Sequence, residues 1–291
     1  MTRELEFHYR LPGRSPGARP GAHSGSGLGG ASEFVAHRRL FERPDPRRLD
    51  LRASLAQRAL AGDWLVRVNR QRAGITVQLL ADVSASMHFG ADPAATKLRR
   101  VAAFAESLGH SAARLGDAVG LTPFDGRRRE DLLVPPSRHR GLALQMAARL
   151  REATPAAGPQ DGARGLADAL AHLPGRPSLV FLASDFHWPL ERLPALLDQL
   201  SGSHVVPVLV WDAAETEPPA GNGLAMLSDA ENGHRRTLWL RPSLRQRWRE
   251  AVAQRRDTLR QLFTRRGLRP FEMGPHFEPA ALSKHFLESV G

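Results

Sequence analysis

Four short apolar runs, ITVQLLA (75–81), AVGLTPF (118–124), SLVFLAS (178–184) and VVPVLVW (205–211), are separated by segments of helical periodicity. A run that is apolar at nearly every position has no face to offer water, so it suits a strand covered on both sides in a parallel sheet. The intervening segments supply the covers. Residues 96–116 place Leu98, Val101, Ala102, Ala105, Leu108, Ala112 and Leu115 on one helical face, and Gly116 stops the helix. Residues 139–153 repeat the amphipathic pattern, and shorter helices are expected near 166–173 and at 190–201. The alternation predicts an α/β fold with a mostly parallel central sheet and helices on both faces. The tail differs: LAMLSD (224–229) and RRTLWL (235–240) predict a hairpin turning at Asn232-Gly233. A long helix (243–266), a strand in LRPFEM and a closing helix at 279–290 follow.

The part before the first strand has another texture. Residues 10–30, rich in Gly, Pro and Ser, predict a flexible or extended segment. Residues 31–73 regain apolar and charged character and carry a short helical pattern. The expected organisation is a flexible segment over 1–30, an arm over 31–73 that packs with the 224–240 hairpin, and the sheet domain over 74–291. Asp45, Arg47, Arg48, Asp50 and Arg52 in the arm predict an ion network of structural purpose.

Composition narrows the chemistry. The absence of cysteine excludes disulfides, thiolate metal sites and cysteine nucleophiles. The net charge is +11, and of 41 basic residues only Lys97 and Lys284 are lysines. Such an arginine bias, with abundant Ala, Gly and Pro, reads as the mark of a GC-rich genome. The arginines are spread along the chain, there is one tyrosine, and no RNA-stacking motif is present, which argues against nucleic acid and for an acidic protein surface as partner. No apolar stretch approaches the ~20 residues of a membrane span, and the first residues lack a secretory core, so a cytoplasmic protein is expected.

The stretch most suggestive of function is LLADVSAS (79–86). In open α/β sheets, sites form where loops leave the carboxyl ends of strands. Asp82, Ser84 and Ser86 follow such an end at every second position, and the spacing can turn all three into one crevice. One carboxylate and two hydroxyls form a hard, all-oxygen ligand set that suits Mg²⁺, whereas zinc would want His or Cys. The alternatives are a helix-capping turn and an enzyme site with Asp82 as nucleophile. Ser184-Asp185, after the third apolar run, would lie at the same sheet edge, so Asp185 is a further candidate ligand. Beside them, His88, His187 and Trp188 are candidates for a partner-facing rim.

D-x-S-x-S after the first strand of an α/β sheet resembles the metal-ion-dependent adhesion site of von Willebrand factor A-type domains. The flanks, GLGGASEFVAHRRLFERPDPRRLDLRASLAQRALAGDWLVR before the strand and LAMLSDAENG…LWL near the end, are similar to a bacterial branch, a domain-of-unknown-function family associated with MoxR-type AAA+ ATPases. The resemblance implies a Rossmann-like von Willebrand factor A domain with an N-terminal arm and a β-hairpin insertion. It implies Mg²⁺ (or Mn²⁺) held by Asp82, Ser84, Ser86 and Asp185, and no catalysis by the chain itself. It also implies a MoxR-type ATPase as partner in maturing or assembling a client protein complex, in some systems with metal or cofactor insertion, as for methanol dehydrogenase. One motif departs: where the family usually has a threonine before a helix, this chain has GPQDGARGLADAL, offering Asp161 as a substitute ligand and Arg164 as an opposing charge. The expected function is therefore a Mg-dependent protein-binding module. The alternatives are a metal-free scaffold of the same fold and a phosphatase-like hydrolase using Asp82.

Overall fold

The computed structural model describes residues 5–11, 20–42, 44–61, 64–156, 158, 160–175, 177–228 and 235–289. The chain divides into two compact units, Leu11–Ile75 and the combination of Met1–Arg10 with Thr76–Gly291.

In the smaller unit, β1 (Pro20–Arg39) pairs antiparallel with β2 (Leu65–Ala73), and α1 (Leu51–Ala61) lies between them in sequence. Val66 and Val68 are buried while Arg67 is exposed, the alternation of a strand covered on one face. The segment read as flexible or extended is extended from residue 20 on: backbone pairing to β2, interrupted by several register shifts, absorbs a stretch too glycine-rich to show periodicity. The ion network also has other members than expected. Asp50 accepts from the Ala53 N–H (3.0 Å) at the start of α1, from Arg67 Nε (2.7 Å) and from His37 Nε2 (3.0 Å). The Ala53 bond and these two side chains hold its carboxyl well below the usual range. Asp45 pairs with Arg48 at 3.1 Å.

The larger unit is built on a six-stranded sheet. Its strands are β3 (Thr76–Asp82), β4 (Ala118–Phe124), β5 (Val134–Ser137), β6 (Leu179–Ser184), β7 (His204–Val210) and, after the hairpin described below, β10 (Phe271–Met273). The spatial order is β10-β7-β6-β3-β4-β5, parallel throughout except for β5. β4 and β6 are buried at every residue, and β3 and β7 at all but the first. Side chains of β6 alternate between two cores. Phe181 meets Phe7 and Phe104 in edge-on contacts, with Phe286 beside it. Val180 and Leu182 join the opposite core with Leu166, Leu193, Leu259 and Phe263.

The helices follow from those cores. α2 (Lys97–Leu115) and α8 (Pro279–Ser289) supply Phe104 and Phe286 to the first; α4 (Gly162–Ala171), α5 (Leu193–Asp198) and α7 (Pro242–Thr264) cover the second. α3 (Leu142–Arg151) completes the set beside α2. Thr96 Oγ1 caps α2 by accepting from the Arg99 N–H at 3.3 Å, and Gly116, at φ 74°, ends it. Across β3 and β4 the buried Gln78 donates to Thr122 Oγ1 at 2.8 Å, satisfying a polar pair inside the sheet.

Two further elements follow β7: the one-turn helix α6 (Ala213–Thr216) and the antiparallel hairpin β8 (Gly223–Ser228) with β9 (Arg235–Leu240). The hairpin strands lie where expected; its Asn232-Gly233 turn falls outside the described residues. Edge strand β5 has no sequence signal because VPPS carries two prolines, which only an edge tolerates. Residues 5–10, expected to be flexible, instead deliver Phe7 (0% exposed) and Tyr9 (5%) to the first core, with the exposed His8 between them. The Phe7 N–H donates to Ser111 Oγ (2.9 Å), and the Tyr9 hydroxyl to Asp117 Oδ2 (2.6 Å). Among the described residues no helix is long and apolar enough to cross a membrane.

Candidate functional site

The carboxyl ends of β3, β6 and β7 meet at one edge of the sheet and carry the predicted acidic residues there. Asp82 ends β3 and is fully buried. Its Oδ1 accepts the Ser84 N–H at 3.0 Å, and its Oδ2 accepts the Ser184 hydroxyl at 2.6 Å and the Trp188 indole Nε1 at 3.3 Å. All three donors are neutral. Burial and the nearby charge of Asp185 therefore outweigh these hydrogen bonds and push the Asp82 carboxyl up to about 6. Ser84 and Ser86 do converge, with their hydroxyls 3.2 Å apart.

Asp185 follows β6 and is equally buried, but its surroundings are cationic. The Lys97 ammonium, with no exposed surface, lies 2.7 Å from its Oδ2 and also bonds Glu215. Oδ1 accepts the His187 N–H at 3.1 Å, and His187 Nδ1 lies 3.6 Å from Oδ2. Burial pushes Asp185 upward, but His187 and Lys97 together prevail and hold the carboxyl below its usual range. The turn that presents it is strained: the next residue, Phe186, has φ 53°, a left-handed conformation that costs a non-glycine about 1–2 kcal/mol. Hydrogen bonds hold it in place. The Phe186 N–H donates to Ser184 Oγ at 2.9 Å, and Arg255 of α7 donates to the Phe186 and Trp188 carbonyls.

The end of β7 completes the edge. Asp212 and Glu215 form a reciprocal capping box on α6, and Arg100 of α2 donates to Asp212 Oδ2 (3.3 Å), the Trp211 carbonyl and the Gly274 carbonyl. Lys97 and Arg100, one turn apart on α2, thus fasten the loops after β6 and β7 to that helix.

Several sequence expectations change here. Asp161 is the N-cap of α4: it accepts the Arg164 N–H at 3.2 Å, is exposed, and lies 3.7 Å from Arg192. It is not brought to the Asp82 crevice, because the Trp188 ring stands between. A Cβ added at Gly162 would sit 2.3 Å from that ring, and one at Gly165 1.9 Å from the Asp125 carbonyl. The indole thus closes on Gly162 and the Asp125–Arg127 backbone on Gly165, while Arg164, the residue expected where the family has threonine, is exposed. Trp188 is buried (7% exposed) with its indole N–H on Asp82, so it is part of the site's wall rather than an exposed anchor. His88 is half-buried and depressed by that burial, while the His187 side chain is 42% exposed and does reach the rim.

Sequence reasoning missed Glu215, Arg100 and the structural use of Lys97. The signal for Lys97 was present: one of two lysines in a chain that otherwise uses arginine. A compact ammonium fits between two carboxylates in a closed slot where a planar guanidinium does not.

The donor set can now be tested against a divalent cation. Asp185, His187 and Glu215 offer ligand atoms within 4.8 Å of one another, but the Lys97 ammonium already bonds both carboxylates. Both oxygens of Asp82 already accept hydrogen bonds. The Ser84 and Ser86 hydroxyls, 3.2 Å apart, also bond Asp82 and Asp185 respectively, so the four predicted ligands form one hydrogen-bonded chain whose members are already engaged. The residues as arranged do not fit a resident divalent ion.

The fold and site define an α/β protein with a mostly parallel sheet and a closed, internally neutralised acidic edge. The chain belongs to the family described as "Protein of unknown function DUF58", which matches residues 45–258. It is 36% identical over 105 residues to an "Uncharacterized protein in moxR 3'region" of Paracoccus denitrificans, spanning all of that protein and 36% of this chain. Among solved structures it is similar to an aerotolerance-related membrane protein of Bacteroides fragilis (14% identity, TM-score 0.45, 75% of this chain and 98% of that one). It is also similar to BatB of Bacteroides thetaiotaomicron (13% identity, TM-score 0.45, 75% and 99%).

Proposed function

We propose that this chain is a non-catalytic, protein-binding module that works in the cytoplasm with a MoxR-type AAA+ ATPase in the maturation or assembly of a client complex. The observation that carries the partner is the relative described as lying in the moxR 3' region. The site supports the absence of catalysis. A carboxylate nucleophile needs an oxygen facing its substrate, and Asp82 is fully buried with both oxygens engaged. The phosphatase reading also needs a cation for phosphate, and Lys97 is committed to two carboxylates.

In this reading the domain is a von Willebrand factor A-like scaffold in which Lys97 supplies the positive charge, and partner binding does not pass through a divalent ion. The metal-bridged form is favoured by the convergence of the four predicted ligands: the Ser84 and Ser86 hydroxyls meet, Ser84 bonds Asp82, a carboxylate raised to about 6, and Ser86 bonds Asp185. Capture of a purified MoxR-type ATPase from the same genome on immobilised chain tests both. Binding that survives Ser84→Ala/Ser86→Ala supports the metal-free module, and binding lost in that variant restores the metal bridge. No binding by the unaltered chain with any nucleotide overturns the ATPase partnership.

A further inference from the structure

Beside the acidic edge lies a cleft of about 340 Å³, open to the surface and lined by Trp211, Trp248, Ala251 and Val252 together with His187, Glu215 and Arg255. Both indole N–H groups point away from it into the protein: Trp211 Nε1 donates to the Asp185 carbonyl (2.7 Å) and Trp248 Nε1 to the Glu215 carbonyl (2.8 Å). The ring bodies line the cleft, and the polar tips are satisfied elsewhere.

The helix forming one wall has little to cover it. From Pro242 to Thr258 no side chain of α7 is buried; burial starts at Leu259 and recurs at Phe263. Yet Leu244, Trp248 and Val252 continue the same stripe at a spacing of four, half-buried and adjoining the exposed Ala251.

The charges at the rim are unequal. Glu215 is paired with Lys97, Glu217 with Arg249, and Asp257 with Arg260. Among the described residues no carboxylate lies within ion-pair distance of Arg245, Arg247 or Arg256; Arg256 is stacked 5.0 Å over the Trp211 ring. Glu250 keeps its negative charge beside the neutral Gln246 amide (2.9 Å), and Arg245 donates to the Gly221 carbonyl and to Asn222 Oδ1 (3.0 Å). With Arg255 lining the cleft, Arg256 on its Trp211 wall and Glu215 neutralised by Lys97, the charge beside the apolar floor is positive.

We propose that this cleft receives a short acidic segment of a partner protein, which inserts one aromatic or leucine side chain between Trp211 and Trp248 while its carboxylates meet the rim arginines. Rigid aromatic walls in a concave pocket are what anchor residues select, and the arginines favour encounter with an acidic flank. The inference rests on the protein-binding reading and names the chemistry of the partner segment.

The test is fluorescence anisotropy with a labelled peptide carrying one central phenylalanine flanked by aspartates. It is compared with the same peptide bearing a central serine and with a lysine-flanked version. The aspartate-flanked phenylalanine peptide is expected to bind, with the serine version weaker by about tenfold or more, roughly 1.4 kcal/mol. Val252→Asp weakens binding by about the same factor, and Arg256→Glu weakens it several-fold at low salt and less at high salt. Neither position is buried, and circular dichroism checks that both variants fold. Equal binding by both variants and the original chain, equal binding of the lysine-flanked peptide, or no binding of the acidic peptide overturns the proposal. So does a concentration-dependent dimer abolished by Val252→Asp, because the occupant is then a second copy. Failure to capture the ATPase while the peptide still binds contradicts the ATPase reading alone.

Discussion

The ends of β3 and β6 look interchangeable in sequence, each an apolar strand running into serine and aspartate, yet the structure gives them opposite electrostatics. Asp82 is surrounded by neutral donors and sits at about 6, whereas Asp185 is matched by a buried ammonium and a histidine and falls below its usual range. Burial is the same at both. What differs is the company: His187 two residues on, Lys97 delivered from the start of α2, and the Ser86 hydroxyl all favour the charged form of Asp185. A buried carboxylate is therefore not by itself a ligand in waiting; its partners decide whether it is held as an ion, as a neutral acid or by a metal.

The most severe way to break the comparison is to remove that cation. Lys97→Met leaves Asp185 and Glu215 without their counter-charge, and loss of one member of a buried pair costs about 3–5 kcal/mol. Urea unfolding should show a fall of that order, with substantial recovery in Lys97→Met/Asp185→Asn, where the orphaned charge is also gone.

The next test reads Asp82 through pH. Because its carboxyl is raised in the folded chain, the folded state binds more protons than the unfolded state between about 4 and 6. Its contribution to stability thus falls as pH rises through that window and is most unfavourable above 6. The span from the ordinary 3.8 to about 6 is on the order of 2–3 kcal/mol. Unfolding midpoints of the unaltered chain and Asp82→Asn, compared at pH 7 and pH 4, should differ in slope by about this amount. Asp185 has the opposite sign: its stabilisation is present above its unfolded value and is lost as acid titrates it below that value.

Trp188→Phe sharpens the comparison at lower cost. It keeps the ring beside Gly162 and deletes the indole N–H on Asp82, so a loss of about 1 kcal/mol is expected, and the Asp82 titration, followed by carbonyl NMR, should move upward. The smallest effect belongs to Asp161→Ala, which removes a helix cap worth about 0.5–1 kcal/mol and should leave any metal titration unchanged.

These residues also show what the sequence could reveal. Burial on both faces leaves an uninterrupted apolar run, so β3, β4, β6 and β7 were readable, as were the long amphipathic helices and the strand ends bearing Asp82, Asp185 and their serines. β1 and β5 were not, because glycine and proline remove periodicity where backbone pairing at an edge decides the outcome. The site's partners were hidden for a different reason. Lys97 and Glu215 lie 88 and 118 positions apart in sequence from Asp185 and Lys97 respectively, and no local spacing connects them. The absent threonine was visible, but that Trp188 closes on Gly162 and the Asp125 carbonyl on Gly165 depends on how α4 meets the sheet.

The central claim is that Lys97, not a divalent ion, neutralises this edge. Calorimetric titration of the purified chain with Mg²⁺ and Mn²⁺, alongside Ser84→Ala, tests it directly. The account predicts no saturable heat up to millimolar metal in either protein; stoichiometric binding by the unaltered chain that disappears in Ser84→Ala would contradict it.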